Sequence, residues 1–275
     1  MAPNVTRWGD ANVAKHALLI HGLTSSSGVW FRIAEALATR GYHVTAPDLL
    51  AHGKSPKSTS YKLEAFVEAL EPLFEPSQPR FSLVIAHSFG GVVALACLSR
   101  LASEETIPVI LLDPPLLPAT QTPAEQQTRV GVEIARKIVV SEVTEIPDVE
   151  TLMSANPLWT KEDAKWKILA AKECDIVGLG QIFEQNYPWS FVHLLDNIPP
   201  NVKVTILAAD PAKHAAFRVE SVKNYKHVQT NVVEMASHSI HREFPDLVID
   251  TAMKAVEEAH GIHVETGLNG NGDAA

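Results

Sequence analysis

Ser88 lies in Ala86-His87-Ser88-Phe89-Gly90, with a small residue two places before it and another two places after. A serine hydroxyl is a weak nucleophile until an imidazole accepts its proton and a carboxylate holds that imidazole in place. Candidates for both partners follow downstream. Asp113 and Asp210 each close a short apolar run. His238 stands in Ala236-Ser237-His238-Ser239-Ile240-His241-Arg242-Glu243-Phe244-Pro245. Serine, acid and histidine in that order can deliver covalent attack by an activated hydroxyl on an electrophilic carbon.

Each of these residues must be carried by an element. Residues 81–86 form an apolar, branched run that reads as a buried strand, and 92–98 suit a helix. A strand that turns into a helix within so few residues strains the backbone at Ser88 and needs small neighbours on both sides. The turn sets the hydroxyl at a sharp tip beside the positive end of the helix. The rest of the chain repeats the alternation. Strands are expected over 5–8, 17–20, 42–46 and 109–112, and helices over 29–40 and 61–71. The strand ends carry His21-Gly22-Leu23, Pro47-Asp48 and Asp113-Pro114-Pro115. Such alternation predicts an α/β fold, a mostly parallel sheet covered by helices on both faces, with its site beyond the carboxyl ends of the strands.

From 115 to 200 the pattern is helical only, with helices expected over 124–140 and 160–173. Thr160, followed by Asp163, makes a helix start. Strands resume over 202–208 and 228–235, a closing helix runs to 260, and the Gly- and Asn-rich tail 261–275 reads as disordered.

The 275-residue chain has a net charge of -9, which argues against nucleic acid or an acidic membrane surface as partner. Cys97 and Cys174 form no disulfide framework, and the histidines show no metal spacing. With no signal-like apolar core and no run of membrane-spanning length, a reduced, cytoplasmic protein is expected.

The elbow at Ser88, the His21-Gly22 loop, Pro47-Asp48 through His52-Gly53-Lys54-Ser55, and His238 through Pro245 together resemble the α/β-hydrolase fold superfamily over nearly the whole chain. The resemblance implies a core over 1–115 and 200–260. A helical lid over 116–199 is inserted after the sixth strand of the fold. It makes Ser88 the nucleophile and His238 the base, with His241 as rival, and assigns the oxyanion hole to the Leu23 and Phe89 amides. His21, Asp48, His52 and His87 are expected to fix loops. The commonest family pattern for the acid, a strand, Gly, two residues and Asp, falls here on Ala212, which leaves Asp113 and Asp210. Asp113 is favoured, because Asp210 would need a rebuilt loop to reach the imidazole.

The implied activity is a cofactor-independent serine hydrolase cleaving an ester, lactone or thioester through an acyl-enzyme. Its substrate would be small and apolar, in a pocket built by Trp159, Trp166, Tyr187 and Trp189 of the lid. A monomer or homodimer is expected. The same triad also suits carbon–carbon bond hydrolysis or a lyase reaction, and a slow or inactive ligand receptor would keep the same pocket. Dehalogenase and epoxide hydrolase chemistry is disfavoured, since both need a carboxylate where Ser88 stands.

Overall fold

The computed structural model describes residues 2–101, 103–117, 124–213 and 215–261. The tail expected to be disordered lies outside the described residues except for Gly261. Seven strands form one sheet: β1 Val5–Trp8, β2 Lys15–Ile20, β3 Tyr42–Pro47, β4 Leu83–His87, β5 Ile107–Leu112, β6 Val202–Ala208 and β7 Gln229–Val232. Their order is β1-β3-β2-β4-β5-β6-β7. Only the β1–β3 pair is antiparallel.

The helices are α1 Phe31–Thr39, α2 Leu63–Leu70, α3 Phe89–Ala96, α4 Ala124–Thr144, α5 Val149–Ala155, α6 Lys161–Lys172, α7 Ile176–Gln185, α8 Ile240–Glu243 and α9 Pro245–Ala259. Successive side chains of a strand point to opposite faces, and the central strands are buried on both. Leu18, Ile20, Val84, Ala86, Val109 and Leu111 face one core, with Phe66 of α2 and Val92 of α3. Ala17, Leu19, Leu83, Ile85, Ile110 and Leu112 face the other, with Ile33 of α1 and Val248 of α9. Runs apolar at every position are what a doubly covered parallel sheet requires.

The helical insert spans α4 to α7 and follows β5, the fifth strand here and the one the resemblance counts as the sixth. It packs into the first core through Leu179, Ile182, Phe183, Trp189 and Phe191. Its helix α6 starts at a capping box: Thr160 accepts from the Asp163 amide, and the Asp163 carboxylate accepts from the Thr160 amide. The last strand is shorter than the 228–235 the pattern suggested. It lies at the sheet edge with three of its four residues exposed, so burial does not extend it.

The register aligns the strand ends. His87 of β4 lies opposite Leu112 of β5, which lies opposite Leu207 of β6. The Ser88 amide then donates to Leu112 O and the Asp113 amide to Leu207 O, both at 2.8 Å. Ser88 and Asp113 thus leave the sheet side by side.

Candidate active site

The β4–α3 turn holds Ser88 at φ 53° and ψ -127°, a conformation that costs a non-glycine residue free energy and persists only where packing enforces it. Two glycines permit it. A Cβ on Gly90 would lie 2.3 Å from His21 O, and one on Gly22 would lie 2.8 Å from Ser88 Cβ. The first lets α3 close onto β2, and the second lets the His21-Gly22 loop lie against the serine.

His238 links the two strand ends. Its Nε2 is 2.9 Å from Ser88 Oγ and its Nδ1 is 2.6 Å from Asp113 Oδ2. The carboxylate has only acceptors, so Nδ1 carries the proton and Nε2 is free to accept from the serine hydroxyl. Asp113 is fully buried. Its oxygens also accept from the amides of Ala209, Ala216 and Phe217 at 3.1, 2.7 and 3.2 Å. Asp210 does not reach the imidazole. It accepts from the Ala212 and Met235 amides, both at 2.9 Å, and these two bonds hold its carboxyl below the usual range.

The loop bearing His238 is braced by Glu243, which accepts from the Ser237 amide at 2.7 Å and from Ser237 Oγ at 2.5 Å. His87 Nε2 donates to His238 O at 2.8 Å. The His87 ring lies between those of His238 and His241, with centroids 4.7 and 4.3 Å away. Burial above all, and then neighbouring positive groups, pushes the pKa values of His87 and His241 well below normal. Both rings are neutral and put no positive charge beside a protonated His238.

Phe89 follows Ser88 in the chain and Leu23 lines the same cleft as Ser88, and the backbone amide of neither donates to an acceptor among the described residues. The loop between them is fixed by histidines. His21 Nε2 accepts from the Leu49 amide and His52 Nε2 from the Thr24 amide, while each Nδ1 donates to a backbone carbonyl. Asp48 accepts from the Ser27 and Lys54 amides and from Asn4 Nδ2. Burial works against its ionisation, but His21 and these donors keep its carboxyl below the usual range.

Ser88 opens into a cleft of ≈ 440 Å³ between core and insert, a size that holds a small ligand. Here the expected aromatic pocket is corrected. Of the four aromatics named from the sequence, only Trp159 lines this cleft. Trp166 packs its ring over Gly28. Trp189 stacks on Phe183 with ring centroids 4.4 Å apart and donates Nε1 to Phe183 O. Tyr187 is 52% exposed and lines a separate depression with Arg136. The insert helices are packed on more than one side, so helical spacing does not tell which aromatics face the serine.

The wall mixes apolar residues, Leu23, Val139 and Leu152 among them, with charged ones. Lys167 of α6 meets Glu142 of α4 at 2.5 Å and Thr24 Oγ1 at 2.7 Å, and Arg242 of α8 lies over the Trp159 ring at 4.6 Å. Sequence reasoning gave these residues no role. The pairing of 142 with 167 joins two helices and has no local signature. Arg242 had only its place between His238 and Pro245 as a signal. Among the described residues, no group of three or more His, Cys, Asp or Glu is arranged to hold a metal ion, and no helix is long and apolar enough to cross a membrane.

A sheet of this order, with a strained serine turn at the end of β4 and an aspartate and a histidine beyond β5 and β7 bonded to it in series, has the architecture of an α/β-hydrolase. A sequence model of the alpha/beta hydrolase family matches residues 17–251, and the chain belongs to that family. It is 36% identical to lipase LipV of Mycobacterium tuberculosis over 111 residues, which are 40% of this chain and 41% of the lipase. It is 33% identical to polyneuridine aldehyde esterase of Rauvolfia serpentina over 88 residues, 30% of this chain and 33% of that protein. These matches span less than half of each curated relative. The fold is similar to that of an esterase from Exiguobacterium antarcticum, with a TM-score of 0.69 at 16% identity, over 92% of this chain and 94% of that one.

Proposed function

We propose that the protein is a serine hydrolase that cleaves an ester, lactone or thioester through an acyl-enzyme. The observation that carries this reading is the chain of hydrogen bonds from Ser88 through His238 to Asp113. Its partial likeness to a lipase and an esterase agrees with it.

In this mechanism Ser88 Oγ attacks the carbonyl carbon as its proton passes to His238 Nε2. Asp113 stabilises the imidazolium that forms and keeps the ring in register. The oxygen that gains charge is received by the Leu23 and Phe89 amides, fixed donors that need no reorganisation as the charge develops. Collapse expels the alkoxide or thiolate, which takes the proton from Nε2 and leaves an acyl group on Ser88. Water, deprotonated by His238, then attacks that acyl carbon and releases the acid. The insert forms one wall of the cleft and acts as a lid that sets which acyl and leaving groups fit.

A fluorophosphonate probe and a panel of p-nitrophenyl esters test the reading. The wild type should label and turn over, while Ser88→Ala should fail to label and lose roughly a million-fold in kcat. Residual hydrolysis of more than a few percent in that variant would refute the assigned nucleophile.

A further inference from the structure

Arg242 is a buried cation with nothing to neutralise it directly. It is 5% exposed and lines the cleft that holds Ser88 and His238. Arginine is almost never buried this far without a partner. Its Nε has no hydrogen-bond partner among the described residues, and its side chain makes one long bond, from Nη1 to Ser239 Oγ at 3.5 Å.

The three carboxylates that attract it are committed elsewhere. Asp163 is held by Arg32 and by the amide and hydroxyl of Thr160. Glu142 is held by Lys167 and Thr24, and Glu243 by Ser237. None of them comes within 4 Å of the Arg242 guanidinium. Burial pulls that guanidinium down only to about 10, so it is charged at neutral pH.

The surrounding wall repeats the pattern. Among the described residues, six buried side-chain polar atoms lack a partner: Ser25 Oγ, Trp30 Nε1, Trp159 Nε1, both ring nitrogens of His241, and Arg242 Nε. All except Trp30 Nε1 belong to residues that line the cleft, and Trp30 lies against His241 at 5.2 Å. Buried polar groups are ordinarily satisfied by protein, water or a bound ion, and the cluster marks this wall as one built for a polar occupant rather than an apolar one. An alkyl acyl chain would leave these groups unpaired. The two acidic residues of the lining do not oppose an anion strongly: Glu142 is paired with Lys167, and Glu145 is exposed to screening solvent.

We propose that Arg242 is a specificity-determining anchor for a carboxylate, and that the natural substrate carries one close to the scissile carbonyl, as a half-ester or half-thioester of a dicarboxylic acid does. The planar guanidinium takes both carboxylate oxygens at once, while Trp159 supports its face. The inference rests on the serine hydrolase reading for the reaction but not for the binding.

The test compares monomethyl esters of the malonate-to-adipate series with neutral isosteres, in which an isopropyl group replaces the carboxylate. In the wild type, kcat/KM for the best half-ester should exceed that of its isostere at least tenfold. In Arg242→Gln this ratio should fall about tenfold or more, to near one, chiefly through KM, as expected when a hydrogen-bonded charge loses its partner. Arg242→Lys should recover part of it, since it keeps the charge and loses the fork. The fluorophosphonate labelling rate of Ser88 reports whether each variant is folded. Calorimetric binding of monomethyl glutarate to Ser88→Ala, with and without Arg242→Gln, measures the anchor without turnover. If the wild type prefers the neutral isosteres, or if Arg242→Gln changes neither ratio nor binding, the proposal falls while the hydrolase reading stands. If Ser88 fails to label but glutarate binding still depends on Arg242, the hydrolase reading falls and the anchor stands.

Discussion

Asp113 accepts four hydrogen bonds, three from backbone amides and one from His238. An asparagine there would turn an N–H toward donors and could not hold the imidazole in the tautomer that leaves Nε2 open. Asp113 sits at φ 46°, a region asparagine also tolerates, so the backbone should accept the change. Asp113→Asn should therefore lose about ten-thousand-fold in kcat and about 1–3 kcal/mol of stability, because a buried backbone donor loses its acceptor. Asp210→Asn should lose about tenfold or less, because Asp210 ties the Ala212 and Met235 amides and nothing in the reaction path. Steady-state kinetics on one activated ester checks both, and a larger loss at Asp210 would reverse the roles. From the sequence both aspartates stood at the correct end of the sheet. What separates them is the direction of a side chain, decided by amides in loops whose course no local pattern reveals.

At the scale of elements, the elbow works only because the β2 loop can touch it. A Cβ on Gly22 would also lie 3.0 Å from His87 Nδ1 and 3.1 Å from His87 O, and the backbone oxygen cannot yield as a flexible side chain would. Gly22→Ala should push the loop bearing the Leu23 amide away from Ser88. Losing one oxyanion donor in this way costs about a hundred- to a thousand-fold in kcat, with the Ser88–His238–Asp113 chain left in place. Rates of ester turnover should show it; a variant within threefold of wild type would remove Leu23 from the mechanism. The elements themselves were largely legible, since short branched runs alternating with amphipathic stretches admit few arrangements. The insert was legible only as helical. Its α5 and α7 were not read as separate helices: α5 buries Leu152 against Trp159 and Ala164, and α7 is seated by Leu179, Ile182 and Phe183 in a core assembled from distant strands.

Across the whole molecule, buried neutral histidines tie stability to pH. Burial lowers the pKa values of His21, His87 and His241, and that of His52 falls to about 3. The unfolded chain takes up these protons near 6.5 while the folded chain does not. Their contribution is thus complete above about pH 6.5 and is lost as pH falls toward the folded values, at about 1.4 kcal/mol per pH unit for each histidine. Urea unfolding between pH 6.5 and 4.5 should show a steep decline. His52→Gln, which can still meet Leu50 O and the Thr24 amide, should make it shallower by about one proton; an unchanged slope would mean His52 charges in the folded state. The insert has a comparable reach. Trp189 lies 5.6 Å from Phe89, the residue after Ser88, and Phe191 packs beside them both. Lys167 and Glu142 meanwhile hold Thr24, the residue after Leu23. Both residues assigned as oxyanion donors are therefore seated partly on the insert, which makes it a poor candidate for exchange between relatives. A chimera that keeps the core and imports another family member's insert would inherit a different electrostatic floor for the reaction, not merely a different doorway for the substrate.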